Sequence, residues 1–152
     1  MKNQEFEQRI EKYLKRQFGI TISAASKRQV YEALMSTVRE KLSEKKFAYE
    51  QELKKTKQKR AYYMSMEFLV GRTLRNNLFN LGIEKETKEY LEINNFNLDD
   101  IYDIEPDPGL GNGGLGRLAS CYLDALTSSD YPVTGFSILY EYGIFKQVIN
   151  NG

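Results

Sequence analysis

Residues 107–126, DPGLGNGGLGRLASCYLDAL, restrict the fold more than any other stretch of this 152-residue chain. Five of the eleven glycines (Gly109, Gly111, Gly113, Gly114 and Gly116) fall within eight positions. A glycine lets the backbone turn sharply or approach a neighbour closely, at a cost in chain entropy. Leu115, Leu118, Ala119, Tyr122, Leu123 and Leu126 then recur at three- and four-residue steps, the period of an amphipathic helix. Ser128, Ser129, Asp130 and Pro132 end it. A loop that opens a helix presents amides without acceptors and the positive end of a helix dipole, which together suit phosphate or another oxyanion. The other reading is a tight loop whose glycines serve packing or positive φ. The stretch alone leaves both open.

Two familiar phosphate motifs come close and fail on context. GLGNGG and the overlapping GNGGLG both satisfy G-x-G-x-x-G, but a dinucleotide fold needs a hydrophobic strand beforehand. The preceding residues are DIEPDP, which cannot form a central strand. Gly111 to Gly116 also match P-loop spacing. The next residues are Arg117-Leu118, so the phosphate-reaching lysine and the magnesium-binding hydroxyl are both missing.

The length suits one ordinary domain with a single core. A net charge of +1 argues against nucleic acid as the main partner. The absence of histidine removes Ser-His-Asp and Cys-His catalysis and the usual zinc sites, and no carboxylate cluster has metal-ligand spacing. The single cysteine, Cys121, rules out an internal disulfide framework and suits a reducing compartment. Lying inside a helical apolar pattern, it reads as a small core residue rather than a reactive thiol. The N-terminal MKNQEFEQRIEKYLKRQFG has no continuous apolar run, so neither a signal peptide nor a membrane span is expected, and a cytoplasmic protein is.

Phe6, Ile10, Tyr13, Leu14 and Phe18 predict a helix over 4–18, stopped at Gly19. Ser26-x-x-Gln29 has the form of a capping box and predicts a second helix. Val30, Leu34, Val38 and Leu42 line one of its faces, with Tyr31 and Met35 beside them. The pattern continues through Phe47, Tyr49 and Leu53, as the same helix or a third. The basic run KKTKQKR (54–60) is either a solvated face or an anion-effector site. AYYMSMEFLV (61–70) reads as a short buried strand. Shorter helices are expected at 72–81, 84–93 and 97–103, while the acidic, proline-bearing stretch 99–108 reads as loop, an overlap left to the structure. Residues 133–149 read as one or two strands. Asn151-Gly152, the strongest short hairpin signal, leaves a strand without its return, as in a polypeptide cut within its fold.

YYMSMEFLVGRTLRNNL (62–78), DPGLGNGGLGRLASCYLDAL (107–126) and YPVTGFSILYEYGIFKQ (131–147) closely resemble, in order and spacing, the N-terminal part of the α-glucan phosphorylases. Residues 1–59 fit more loosely. The resemblance implies an α/β fold class: the helix-rich N-terminal part of a two-domain glycosyltransferase-type fold, truncated within its sheet. Residues 1–59 would be an N-terminal helical segment and 60–152 an incomplete catalytic-domain portion, with the C-terminal cofactor domain absent. It implies a pyridoxal-phosphate enzyme that phosphorolyses terminal α-1,4-glucosidic bonds to α-D-glucose 1-phosphate, commonly as a homodimer. Its partners would be an α-1,4-glucan and inorganic phosphate, with no nucleic acid, membrane or metal.

By the same resemblance, Asn112, Gly113, Gly114, Leu115 and Gly116 form the substrate and phosphate segment. The amides of Gly113, Gly114 and Leu115 would hold phosphate and sugar, and Glu67 would stand in the supporting shell. The family's cofactor lysine and phosphate-binding cations lie beyond this chain, which therefore carries no catalytic residue and is expected to be inactive alone. Many members have arginine where this chain has Leu139. The alternative is a non-catalytic module that pairs with another phosphorylase chain. A stand-alone nucleotide-binding domain is a third reading, which measurable ATP or NAD binding would mark.

Overall fold

The computed structural model describes residues 2–141 together with Ile144 and Val148. Two compact units divide the chain: Met1–Glu52 with Arg72–Pro106, and Leu53–Gly71 with Asp107–Gly152. The first is helical and the second holds the sheet and the glycine loop.

Helix α1 spans Lys2–Phe18 and buries Phe6, Ile10 and Leu14 of the residues its period singled out, with Tyr13 and Phe18 partly buried against the same core. It stops where expected. Gly19 takes φ +70° and donates to Lys15 O, while Ile20 N reaches Leu14 O, the pair of bonds that closes a helix around a left-handed residue. A 3-10 turn, Ile22–Ala24, leads to helix α2, Lys27–Thr56. The capping box forms: Ser26 N donates to Gln29 Oε1 at 2.8 Å and Gln29 N to Ser26 Oγ at 3.3 Å. Val30, Ala33, Leu34 and Val38 are buried, but Leu42 is partly exposed. The continuation through Phe47 and Tyr49 is the same helix, with both rings exposed before Leu53 is buried again. The basic run begins in the last turn of α2 and leaves it at Lys57, which has positive φ.

Arg9 ties α1 to α2. Its guanidinium meets Glu5 at 2.7 Å, Glu40 at 3.2 Å and Glu44 at 2.7 Å. Three exposed carboxylates on one cation form a network, where single surface pairs contribute little.

Helices α3 (Leu74–Leu81), α4 (Glu84–Ile93) and α5 (Leu98–Ile104) complete the first unit. Leu74, Leu78, Leu91, Leu98 and Ile101 join the residues of α1 and α2 in one apolar core. The loop expected over 99–108 is corrected here. Asn97 accepts from Asp99 N and starts a helix that runs to Ile104, because the acidic side chains at 99 and 100 favour a helix N-terminus; only 105–108 is irregular.

In the second unit, β1 (Ala61–Met64) and β2 (Val133–Phe136) pair in parallel, Ala61 with Val133 through Met64 with Phe136. A parallel pair needs a crossover, and helix α6 (Gly114–Ser128) lies in the connection. Leu123 packs against Gly135 of β2, and Tyr63 meets the rings of Phe68 and Tyr122 near 6 Å.

Three expectations need correction in this unit. The strand over 61–70 is only four residues and largely exposed, Met64 at 83%. A two-stranded sheet covers too little surface to bury its own side chains. Cys121 is exposed, because the buried side of α6 is formed by Gly116, Ala119 and Ser120, and its larger apolar residues Leu115, Leu118 and Tyr122 stay outside. The strand region over 133–149 is a strand only to Phe136; its last part, with the Asn151-Gly152 turn, lies outside the described residues.

Candidate functional site

The glycine loop belongs to the second unit, and the structure sorts its glycines by what each one does. Gly109 takes φ +64°, with Asp107 Oδ1 accepting its N–H at 2.8 Å. Gly111 and Gly116 are packing glycines. A Cβ on Gly111 would stand 2.6 Å from Leu69 N, and one on Gly116 would stand 3.0 Å from Glu67 Cβ. Gly113 and Gly114 differ: a Cβ on either would meet nothing within 4 Å. Both readings of the loop are therefore present, at different residues.

Residues 67–69 run beside the loop and are bonded to it. Phe68 N donates to Leu110 O at 2.7 Å, and Leu69 N donates to Gly116 O at 3.0 Å. Glu67 Oε2 accepts from Asn112 N at 3.2 Å. Of the residues singled out in the sequence, Glu67, Asn112 and Gly116 are thus brought together by direct contact.

Helix α6 begins at this point. Gly113 stands at its N-cap in extended conformation with no side chain to cap the helix, and Gly113 O receives the first helical bond from Arg117 N at 3.0 Å. Helical geometry leaves the amides of Gly113, Gly114, Leu115 and Gly116 without acceptors inside the helix. The Leu115 side chain is exposed beside them. Such amides, with the dipole behind them, can hold an oxyanion without reorganising.

Glu67 itself sits in a pinned turn. Ser65 Oγ donates to Glu67 O at 2.8 Å, and Ser137 Oγ and Tyr140 Oη both donate to Met66 O. Beyond the carboxyl ends of β1 and β2 lies an open cavity of about 310 Å³, lined by Met64, Ser65, Met66, Phe136, Ser137 and Ile138. Open α/β sheets bind ligands outside the carboxyl ends of their strands. A larger cavity, about 730 Å³, belongs to the helical unit and is walled by charges of both signs from α1 with Tyr90. It has no convergent set of donors for one ligand.

Among the described residues no group of three or more His, Cys, Asp or Glu could hold a metal ion. None of their helices is long and apolar enough to cross a membrane. The sequence reading missed Glu105. It stands just before Pro106 in the stretch read as loop, yet it is buried, and its carboxylate accepts from Thr73 and Leu74 at the start of α3. No signal in the sequence pointed to it, because Thr73 is itself an N-cap residue type and only the structure shows its side chain leaving α3 uncapped.

Comparison with known proteins gives one consistent result. Residues 91–152 match the sequence model of the carbohydrate phosphorylases. The chain is 46% identical over 129 residues to a glycogen phosphorylase of Chlamydia pneumoniae, covering 85% of this chain and 16% of that protein. It is 43% identical over 134 residues to that of Pasteurella multocida, covering 88% and 16%. Against the human liver form it is 42% identical over 130 residues, covering 86% and 15%. The chain thus spans about 16% of the length of these relatives.

Proposed function

We propose that this chain, which belongs to the carbohydrate phosphorylase family, is the N-terminal part of an α-glucan phosphorylase and forms one wall of its cleft. The whole enzyme would phosphorolyse terminal α-1,4-glucosidic bonds of glycogen or maltodextrin to α-D-glucose 1-phosphate, in the cytoplasm and commonly as a homodimer. Its N-terminal catalytic domain would begin near residue 60 of this chain, and a second domain would bring the cofactor.

The observation that carries this reading is the open space at Gly113 and Gly114, next to packed Gly111 and Gly116. Amides at Gly113, Gly114 and Leu115 would hold the substrate phosphate and the sugar. Glu67, by accepting from Asn112 N, would keep the loop in the shape that presents them. Fixed N–H dipoles suit phosphorolysis, because phosphate must be held beneath a developing oxocarbenium ion and the dipoles are already oriented.

The described residues do not fit the family's pyridoxal phosphate. Lys54, Lys55, Lys57 and Lys59, the lysines described in the second unit, are all exposed, whereas a Schiff-base amine is activated by desolvation in a pocket. The chain alone is expected to be inactive. Incubated with maltodextrin, phosphate and pyridoxal phosphate, it forms no glucose 1-phosphate; turnover would overturn the reading of an incomplete site. Titration with inorganic phosphate, followed by amide NMR, shifts Gly113, Gly114 and Leu115 ahead of other amides. Shifts confined to the basic run 54–60 would move the anion site there instead.

The exposed apolar residues Tyr62, Met64, Ile138 and Leu139 favour a second reading, a non-catalytic module that pairs with another phosphorylase chain. Co-elution with an intact phosphorylase on size exclusion supports it, and separate elution rejects it.

A further inference from the structure

We propose that Asn112 is a self-modification site, where attack by the Gly113 amide nitrogen converts the asparagine to aspartate and isoaspartate. Gly113 N bonds to Asn112 Cγ, the Cγ–Nδ2 bond breaks, and ammonia leaves with the proton that Gly113 N gives up. Water then opens the resulting succinimide at either carbonyl. Asparagine precedes glycine at 112 and at 151, and the second pair lies outside the described residues. A glycine offers no side chain to obstruct this attack. The space is clear as well, since a Cβ on Gly113 would meet nothing within 4 Å. Asn112 is exposed. Among the described residues no hydrogen bond engages its side chain or the Gly113 amide; Glu67 holds the residue through Asn112 N, at 3.2 Å. Gly113 is the N-cap of α6, so its nitrogen has no acceptor inside the helix, and the positive helix end favours the negative charge that nitrogen carries during attack. Other asparagines are held differently. Asn94 Nδ2 donates to Tyr90 O, Asn97 Oδ1 accepts from Asp99 N, and Asn80 donates to Asn76 within α3. None of these four precedes a glycine.

The isoaspartate product alters the loop itself. It routes the backbone through the former side-chain carbon and so adds one backbone atom between Gly111 and Gly113. Both flanks are pinned within the same unit: Phe68 N donates to Leu110 O at 2.7 Å, and Leu69 N to Gly116 O at 3.0 Å. Gly111 cannot take up the extra length toward Leu69, where a Cβ would stand 2.6 Å from the backbone nitrogen. The longer chain therefore loosens at least one of those two bonds. The aspartate product keeps the backbone and only adds a negative charge to the residue whose amide Glu67 accepts. The chemistry does not depend on what the loop binds.

Incubation of the 152-residue chain at mildly alkaline pH tests this, with peptide mapping by mass spectrometry and detection of isoaspartate by an isoaspartate carboxyl methyltransferase. Conversion at Asn112 is expected within about tenfold of its rate in the same chain unfolded in urea, and about tenfold or more ahead of Asn94 and Asn97 in the folded chain. A slower folded rate would mean that the loop holds the reacting atoms apart, and would overturn the proposal. Gly113→Ala keeps the extended φ of −153°, which any residue adopts, and places its methyl in open space. It should slow conversion about tenfold by hindering the attack on Asn112. An unchanged rate in that variant would point to direct hydrolysis of the side chain and overturn the proposal equally. The separated isoaspartate form should exchange its Phe68 or Leu69 amide about tenfold faster than the unmodified chain, while Asn112→Asp stays close to it. Unchanged protection in the isoaspartate form would overturn the consequence for the loop.

Discussion

The two units answer the same sequence signal in opposite ways. In the helical unit Phe6, Ile10 and Leu14 of α1 and Val30, Leu34 and Val38 of α2 are buried, with Ile10, Leu14 and Leu34 at 0% exposure. In the sheet unit, residues of equal apolar character stand in solvent: Tyr62, Met64, Leu115, and Leu139 at 97%. Periodicity decides local structure, because it matches side chains to a helix or a strand. Burial needs a second layer, and within the described residues only the helical unit supplies one, α1 and α2 packing with α3, α4 and α5.

The largest expected effect separates the units by core deletion. Leu34→Ala removes a fully buried side chain and should cost about 3 kcal/mol from the lost transfer energy and the cavity left behind. Met64→Ala should change stability by less than about 0.5 kcal/mol, since its side chain is already in water. Urea unfolding followed by far-UV circular dichroism for the first, and by amide exchange at Ser65 for the second, measures both. Equal losses would mean that the sheet unit holds a core of its own, and the contrast would fail.

The next effect works within the glycine loop. Gly111→Ala should cost about 2 kcal/mol, because its methyl would stand 2.6 Å from a backbone nitrogen that cannot move like a side-chain tip. Gly114→Ala, with open space around it, should stay within about 0.5 kcal/mol of the parent. The two variants sharpen the division between packing and presenting glycines. If Gly114→Ala also weakens the phosphate-induced shifts at Leu115 while stability holds, the open glycines serve the ligand rather than the fold.

These results explain what was legible in the sequence. Local signals worked wherever the cause was local: Gly19 closing α1, Ser26 and Gln29 capping α2, and the short helices expected at 72–81 and 84–93, found as α3 and α4. The glycine cluster announced a loop opening a helix, and α6 begins at Gly114. Which glycine packs and which presents its amide was hidden, because the answer lies far back in the chain, in Leu69 standing against Gly111 and Glu67 against Gly116. Cys121 failed for a related reason. Its neighbours fixed it on a helix, but small residues at 116, 119 and 120 chose the packed side, leaving the larger apolar ones outside. Glu105 was hidden by distance too, its partners being 31 and 32 positions back in the chain.

The smallest expected effect concerns proton linkage in the helical unit, where two tyrosines are held neutral. Tyr90 is pushed above its ordinary value of 10.0 first by burial and then by the charge of Glu11, to which its hydroxyl donates at 3.3 Å. Tyr102 is pushed up by burial and by donating to Glu84 at 3.1 Å, a shift that Arg75 over its ring partly opposes. Both folded values lie above the unfolded one, so the native state keeps protons that the unfolded chain releases. The stability they contribute is therefore complete below pH 10 and is lost as the pH rises from there toward the folded values. The urea midpoint of the helices should fall between pH 9.5 and about pH 11, and Tyr90→Phe with Tyr102→Phe should flatten that fall while costing their two hydrogen bonds at neutral pH. An unchanged slope in the double variant would place the alkaline sensitivity elsewhere. The Arg9 network is the next candidate at the acid end, because Arg9 holds Glu5 below the ordinary carboxylate value and its contribution is lost as the pH falls through that lowered value.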